Sequence, residues 1–242
     1  MFEYGKLIET LPIDTLPRDT SASRPVIIAL VGAGGKTSTM FALGKHFASE
    51  GLRVVLTTTT KVMLPSDSEV DFISIGEDLA GVEAGKTTFL GLRVSDTSKV
   101  TGFEPEDIQN WDQSTYDVLI YEADGAKRKA IKAPREGEPR LISSTNICIG
   151  VVGLDVIGKP ANEKVVHRFE YFQKITGCTE NSPLESRDIE HLVTHPLGLF
   201  KGVKPGCNKI LLLTKMDTDE RVNYADEIKA HLSQWQSPIV AI

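Results

Sequence analysis

The stretch VIIALVGAGGKTSTMFAL, residues 26–43, constrains the fold more than any other. Its first part is apolar without alternation, so both faces of the predicted strand are apolar and it belongs inside a parallel sheet. Glycines follow at 32, 34 and 35, and then Met40, Leu43 and Phe47 fall at helical spacing, with Gly51 as a stop. LRVVLTTTT is the next strand. Strand, glycine turn, helix and strand in that order make a βαβ unit with a right-handed crossover.

The alternation continues along the chain. DFISIG and TFLGLRV read as shorter strands, EPEDIQNWDQS as a helix, and YDVLIYEAD as a strand ending in carboxylates. NICIGVVGLD is a strand, NEKVVHRFEYFQKIT and PLESRDIEHLVTH are helices, NKILLLTKMD is a strand, DERVNYADEIKAHLSQW a helix and SPIVAI a last strand. Such alternation predicts an α/β fold, a mainly parallel sheet with flanking helices in a P-loop NTPase-like three-layer sandwich. Residues 1–24 form a polar lead-in, and 25–242 read as a single domain with an insert around 64–115.

Composition narrows the function classes. The 242 residues are 40% hydrophobic, enough for a sizeable core. With 27 basic and 33 acidic residues the net charge is −6, which gives no general attraction to nucleic acid or anionic membrane. Cys148, Cys178 and Cys207 are odd in number and show no CxxC, against a disulfide framework or zinc ribbon and in favour of a reducing, cytoplasmic setting. The first residues carry acids and prolines and do not read as a signal peptide. No apolar run approaches the ~20 residues of a membrane span.

Gly35-Lys36-Thr37 after a strand and at the start of a helix is the context a phosphate loop needs. Backbone N–H groups there face an anion, and the helix dipole favours it. Gly32, Ala33, Gly34, Gly35, Lys36, Thr37 and Ser38 are the expected nucleotide contacts, with Lys36 on the β- and γ-phosphates and the Thr37 hydroxyl on Mg²⁺. Leu30 stands where GxxxxGK[ST] requires its first glycine. The shorter form resembles the loops of Mur-type ligases and of some metallochaperone GTPases. A second Gly-Lys-Thr, in EAGKTT at 83–88, precedes a strand and follows no buried one, so it reads as a turn.

Glu122 and Asp124 end the strand VLIYEAD, where carboxylates hold Mg²⁺ or orient water; with Lys36 they are the catalytic candidates. Asp155-Val-Ile-Gly158 is a rival DxxG. Thr214-Lys215-Met216-Asp217 resembles the [NT]KxD element of GTP-binding proteins, in which the carboxylate accepts two hydrogen bonds from guanine. The alternative is a helix N-cap at Asp217 or Thr218. Thr58, Thr60 and Lys61 lie at a strand's C-terminal end, where open sheets bind ligands, although sheet propensity alone accounts for four threonines.

DGAKRKAIKAPREGEPR collects Lys127, Arg128, Lys129, Lys132 and Arg135 in an otherwise acidic chain. It suits an anionic second substrate or transition-state charge, or else a solvated loop. His191 and His195 have the i, i+4 spacing of metal ligands but no third ligand nearby, and so read as surface residues. His167-Arg168 reads as part of a helix with Phe169 and Phe172, and His167 as a possible site.

Together VGAGGKTSTMFALG, VVLTTTTKV, YEADGAKRKAIKAPREGEP, VVGLDVIGKP, VHRFE, HPLGLFKG and LLLTKMD resemble the YqeC family, linked with selenium-dependent molybdenum hydroxylases. The resemblance implies a cytosolic nucleotide-binding accessory protein for maturation of such an enzyme or its cofactor, using Mg²⁺ and GTP or ATP. Two alternatives stay open: an ATP-dependent ligase or kinase-like enzyme acting on an anionic small molecule, and a non-hydrolysing cofactor carrier.

Overall fold

The computed structural model describes residues 4–12, 24–76, 78–95 and 97–242. Residues 1–3 and 13–23 of the polar lead-in lie outside the described residues. The chain divides into two compact units, one built from residues up to Leu30, Thr37–Gly125 and Arg140–Ile147, the other from Val31–Lys36, Ala126–Pro139 and Cys148–Ile242. Eight strands make the large sheet of this α/β fold. No helix among the described residues is long and apolar enough to cross a membrane.

The first unit contains α1 (Gly5–Thr10), β1 (Val26–Gly32, less its last two residues), α2 (Lys36–Ser49, from Thr37 on), β2 (Val54–Thr58), β3 (Lys61–Met63), β4 (Phe72–Ile75), β5 (Thr87–Gly91), β6 (Arg93–Val94), β7 (Lys99–Thr101), α3 (Pro105–Gln109) and β8 (Val118–Glu122). Its large-sheet strands run β1-β8-β2-β5-β4, every pairing parallel. β1, β2, β5 and β8 are buried along their whole length, as strands covered on both faces must be. The run TFLGLRV does not stay one strand. β5 ends at Gly91, and β6 joins β3 and β7 in a small antiparallel sheet. A Cβ on Gly91 would lie 2.0 Å from the Val100 side chain, so glycine is what lets the chain cross from one sheet to the other.

The second unit contains β9 (Ile131–Lys132), β10 (Ile147–Gly153, from Cys148 on), β11 (Val166–His167), α4 (Phe169–Thr176), α5 (Ser186–Thr194), β12 (Asn208–Thr214), α6 (Asp219–His231) and β13 (Ile239–Ala241). Its large-sheet strands run β13-β12-β10, and Ala33 N–H donates to the Val151 carbonyl at 2.9 Å, which sets the Val31–Lys36 segment beside β10. Helix caps follow local chemistry: Glu185 and Asp188 form a capping box on α5, and the Thr218 side chain caps α6.

A second predicted element is corrected. The helix expected over NEKVVHRFEYFQKIT begins only at Phe169, because Val166 and His167 pair in parallel with Ile131 and Lys132 and Arg168 turns left-handed at φ 64°. β-branched Val165 and Val166 suit the extended chain, and a backbone partner 35 residues upstream in sequence outcompetes helix propensity.

Inside the first unit the Tyr121 hydroxyl accepts from Ile142 N–H at 2.9 Å and shares a 2.7 Å bond with the Thr145 hydroxyl, tying residues 140–147 to β8. Tyr121→Phe leaves a buried N–H without its acceptor, and destabilisation by about 1–3 kcal/mol is expected in urea unfolding.

Candidate phosphate-binding site

The glycines after β1 are there for backbone reasons. Gly32, Gly34 and Gly35 have φ of 90°, 93° and 137°, a region that favours glycine. A Cβ on Gly34 would stand 2.4 Å from Gly153 N and 2.7 Å from the Ala130 carbonyl oxygen, and one on Gly32 would stand 2.4 Å from the Val151 carbonyl oxygen. Gly153 N–H itself donates to Ala130 at 2.9 Å. Loop, β10 and basic segment are therefore in backbone contact within the second unit. The Thr214 hydroxyl donates to the Gly34 carbonyl and lies 3.4 Å from that of Val152, which anchors the end of β12 under the same loop. Helix α2 opens directly at Lys36, which is 4% exposed.

Thr37, Glu122, Asp124 and the threonines belong to the first unit. The Thr37 hydroxyl donates to a Glu122 carboxylate oxygen. Glu122 and Asp124 are buried at 4% and 2% exposure, although β8 ends at Glu122. Ser38 is exposed. Thr58 donates to the Glu122 carbonyl at 3.0 Å and lies 3.2 Å from Thr60, and Thr59 donates to the Arg140 carbonyl at 2.9 Å. Lys61 is exposed on β3.

Lys215 and Asp217 take different positions. Lys215, in left-handed backbone at φ 65°, reaches Asp155 of the DxxG run at 3.0 Å. Burial would raise the Asp155 pKa, but Lys215 and Lys159 outweigh it and hold it below the usual carboxylate range. Asp217 is exposed and bonds Arg221, while Thr218 makes the cap.

The basic segment is ordered around a residue that local pattern does not reveal, Glu138. Its carboxylate accepts from Lys132 at 2.8 Å and Arg135 at 3.1 Å, and Arg168 approaches to 3.7 Å. Lys132 is buried, whereas Lys127 and Arg128 are exposed in left-handed backbone at φ 48° and 60°. His167 is buried beside them. Burial, together with Lys132, Arg168 and Lys127, depresses its pKa to about 4, so the ring is neutral at pH 7. Two acids, Glu136 and Glu138, stand among the cations between Pro134 and Pro139, and no local pattern says which of them pairs with Lys132.

His191 bonds the Thr176 carbonyl at 3.0 Å, and His195, extended beyond the end of α5, accepts from Leu197 N–H. Among the described residues no group of three or more His, Cys, Asp or Glu side chains converges as a metal site would.

The family model for the YqeC protein matches residues 28–170, a span that takes in the glycine loop, Glu122, Asp124, the basic segment and His167–Arg168. The chain belongs to the YqeC family. The uncharacterized protein YqeC of Escherichia coli (strain K12) is 34% identical over 216 residues, covering 87% of this chain and 84% of that protein. The structure of chloroplast FtsY from Physcomitrella patens is a remote likeness, with 14% identity and a TM-score of 0.30 over 93% of this chain; the chain spans about half (54%) of that protein's length.

Two outcomes follow for this YqeC-family site. Gly34→Ala meets the backbone of both Gly153 and Ala130 in a conformation alanine avoids, and a loss of about 3 kcal/mol or more is expected in chemical denaturation. His167 has a folded pKa of about 4 against about 6.5 when unfolded, so the unfolded chain takes up the proton first. The stability it contributes is complete above pH 6.5 and is lost as pH falls from 6.5 through 4. Urea midpoints of His167→Gln should decline less steeply over that window than those of the parent protein.

Proposed function

We propose that this YqeC-family protein binds a Mg²⁺–nucleoside triphosphate at its glycine loop and hydrolyses it in the service of a second, anionic partner or substrate. The observation that carries this is the loop itself, three positive-φ glycines packed against β10 and Ala130 and opening into a helix at Lys36. Such a loop presents successive backbone N–H groups to phosphate oxygens, and Lys36 adds a cation. A nucleotide fits a built backbone cradle better than a flexible turn.

The residues present suit Mg²⁺, a hard cation that takes one or two protein oxygens and completes its shell with water and phosphate. The Thr37 hydroxyl and the Glu122 carboxylate already meet, and Asp124 lies two residues on. Thr37 with Asp124 or Glu122 would hold it, and when bound it would offset charge on the β- and γ-phosphates. Glu122 and Asp124 remain the groups to orient an attacking water.

Guanine is the preferred base in this reading. Thr214 ties the TKMD turn to the phosphate loop, Lys215 is held by Asp155, and the Asp217 carboxylate is exposed with Arg221 steadying it. Pathway and partner rest on the family resemblance, which favours a cytoplasmic accessory role in maturing a selenium-dependent molybdenum hydroxylase or its cofactor. A ligase or kinase-like reaction is the second reading, favoured by Lys127 and Arg128, exposed without an acid partner among the described residues.

Lys36→Ala should weaken binding of labelled nucleotide roughly 10- to 100-fold, the worth of one charge-assisted contact; unchanged affinity sinks the phosphate-loop reading. Asp217→Asn should weaken GTP more than ATP in the same titration, and an equal loss removes the base-reading role. Thr37→Ala should raise the Mg²⁺ concentration needed for half-maximal hydrolysis.

A further inference from the structure

The left-handed turn at Lys127–Arg128 leads into Lys129, whose Nζ donates to the Val166 carbonyl at 3.3 Å, which brings the basic segment to the strand that precedes α4. Helix α4 begins at Phe169 with no side-chain cap, and the residue at its N-cap is the cation Arg168, itself left-handed. The Arg168 Nε is buried with no hydrogen-bond partner, an orphan donor that calls for an acceptor. His167, buried beside it, has no hydrogen bond from its ring among the described residues. Lys127 lies within electrostatic reach of that ring, as do Lys132 and Arg168. The Glu138 carboxylate holds Lys132 at 2.8 Å and Arg135 at 3.1 Å and meets Arg168 only at 3.7 Å, so it leaves the Arg168 Nε without an acceptor. Three non-glycine residues in left-handed backbone, Lys127, Arg128 and Arg168, store strain where these cations gather, a pattern that belongs to ligand sites more than to idle loops.

We propose that Arg168, His167 and the uncapped start of α4, together with Lys127 and Arg128, form an oxyanion site separate from the phosphate loop, which takes a phosphate-type dianion. Unpaired guanidinium N–H, helix N–H groups and a neutral imidazole are all donors toward such an ion. Lys132 does not contact the ion; paired with Glu138, it positions Arg168 and the segment that carries Lys127. The site is coupled to the loop by Ala130, whose carbonyl abuts Gly34 two residues from both Arg128 and Lys132. Its ligand is then either free phosphate or a phosphate group carried on an acceptor. Binding of this ion does not rest on nucleotide binding, whereas its use as acceptor or product site rests on the hydrolysis proposed above.

The test follows the His167 ring resonances by NMR, identified through His167→Gln, while the full chain is titrated with inorganic phosphate at constant ionic strength set by chloride. A saturable shift below about 10 mM is expected, a range that still reports specific contact. Arg168→Gln should weaken it about tenfold or more. Lys127→Asn with Arg128→Asn, which tolerates the left-handed turn, should do the same even if Arg168→Gln folds poorly. Lys36→Ala should leave it in place, so that a failed nucleotide site and a failed oxyanion site give different results. Tighter binding of phenyl phosphate than of inorganic phosphate points to an acceptor-borne group, and the reverse to the free ion. No saturable shift in the parent protein, or a shift lost in Lys36→Ala but kept in both other variants, overturns the proposal.

Discussion

The backbone of Gly34 rests on the backbone of Gly153 and Ala130 with no room for a side chain between them. Much of the second unit is referenced to that contact. It brings the glycine loop onto β10, holds the basic segment against the loop through Ala130, and leaves the Gly34 carbonyl for Thr214 at the end of β12. Three segments far apart in sequence thus meet on one peptide, and a single methyl group at Gly34 would push against two of them. The absence of a first Walker glycine at Leu30 matters little to such a loop, because the close approaches fall at Gly32 and Gly34.

Charge is arranged around a comparable pivot. A buried lysine is costly unless paired, and Lys132 is fully covered; Glu138 supplies its partner. The same carboxylate accepts from Arg135 and faces Arg168, so the basic segment is a shaped loop with some cations committed inward and others presented outward. His167 is kept neutral first by its burial and then by that gathering of cations. The five cations of 127–135 look equivalent on paper, yet their environments divide them into structural and available groups.

The threonines at the end of β2 do more than favour a strand. Thr57, Thr58 and Thr59 are buried, and their hydroxyls bond carbonyls of Leu90, Glu122 and Arg140. Those bonds satisfy polar groups at a strand end inside the first unit, which sheet propensity alone does not require. Glu122 meanwhile directs its side chain to Thr37 and its carbonyl to Thr58, linking the carboxylate strand to both the helix start and the threonine turn.

The main strands and helices of the large sheet, the glycine loop after β1, the Thr218 cap of α6 and the carboxylates ending β8 were legible in the sequence, because each is written in local periodicity, glycine conformation or capping chemistry. The extended pair at Val166–His167 was not, since its partner is Ile131–Lys132 and its periodicity also fits a helix. Nor was the break of TFLGLRV at Gly91, decided by Val100. Which basic residue is buried, which acid pairs with it, and where Thr214 and Asp155 send their side chains are decided by residues brought together only on folding. By itself, the sequence determined that a glycine loop follows a buried strand and opens a helix, since backbone conformation and hydrophobic period are local. Tertiary structure alone decided what that loop touches, because contact between segments 96 to 180 residues apart depends on strand pairing and close packing, which no local window contains.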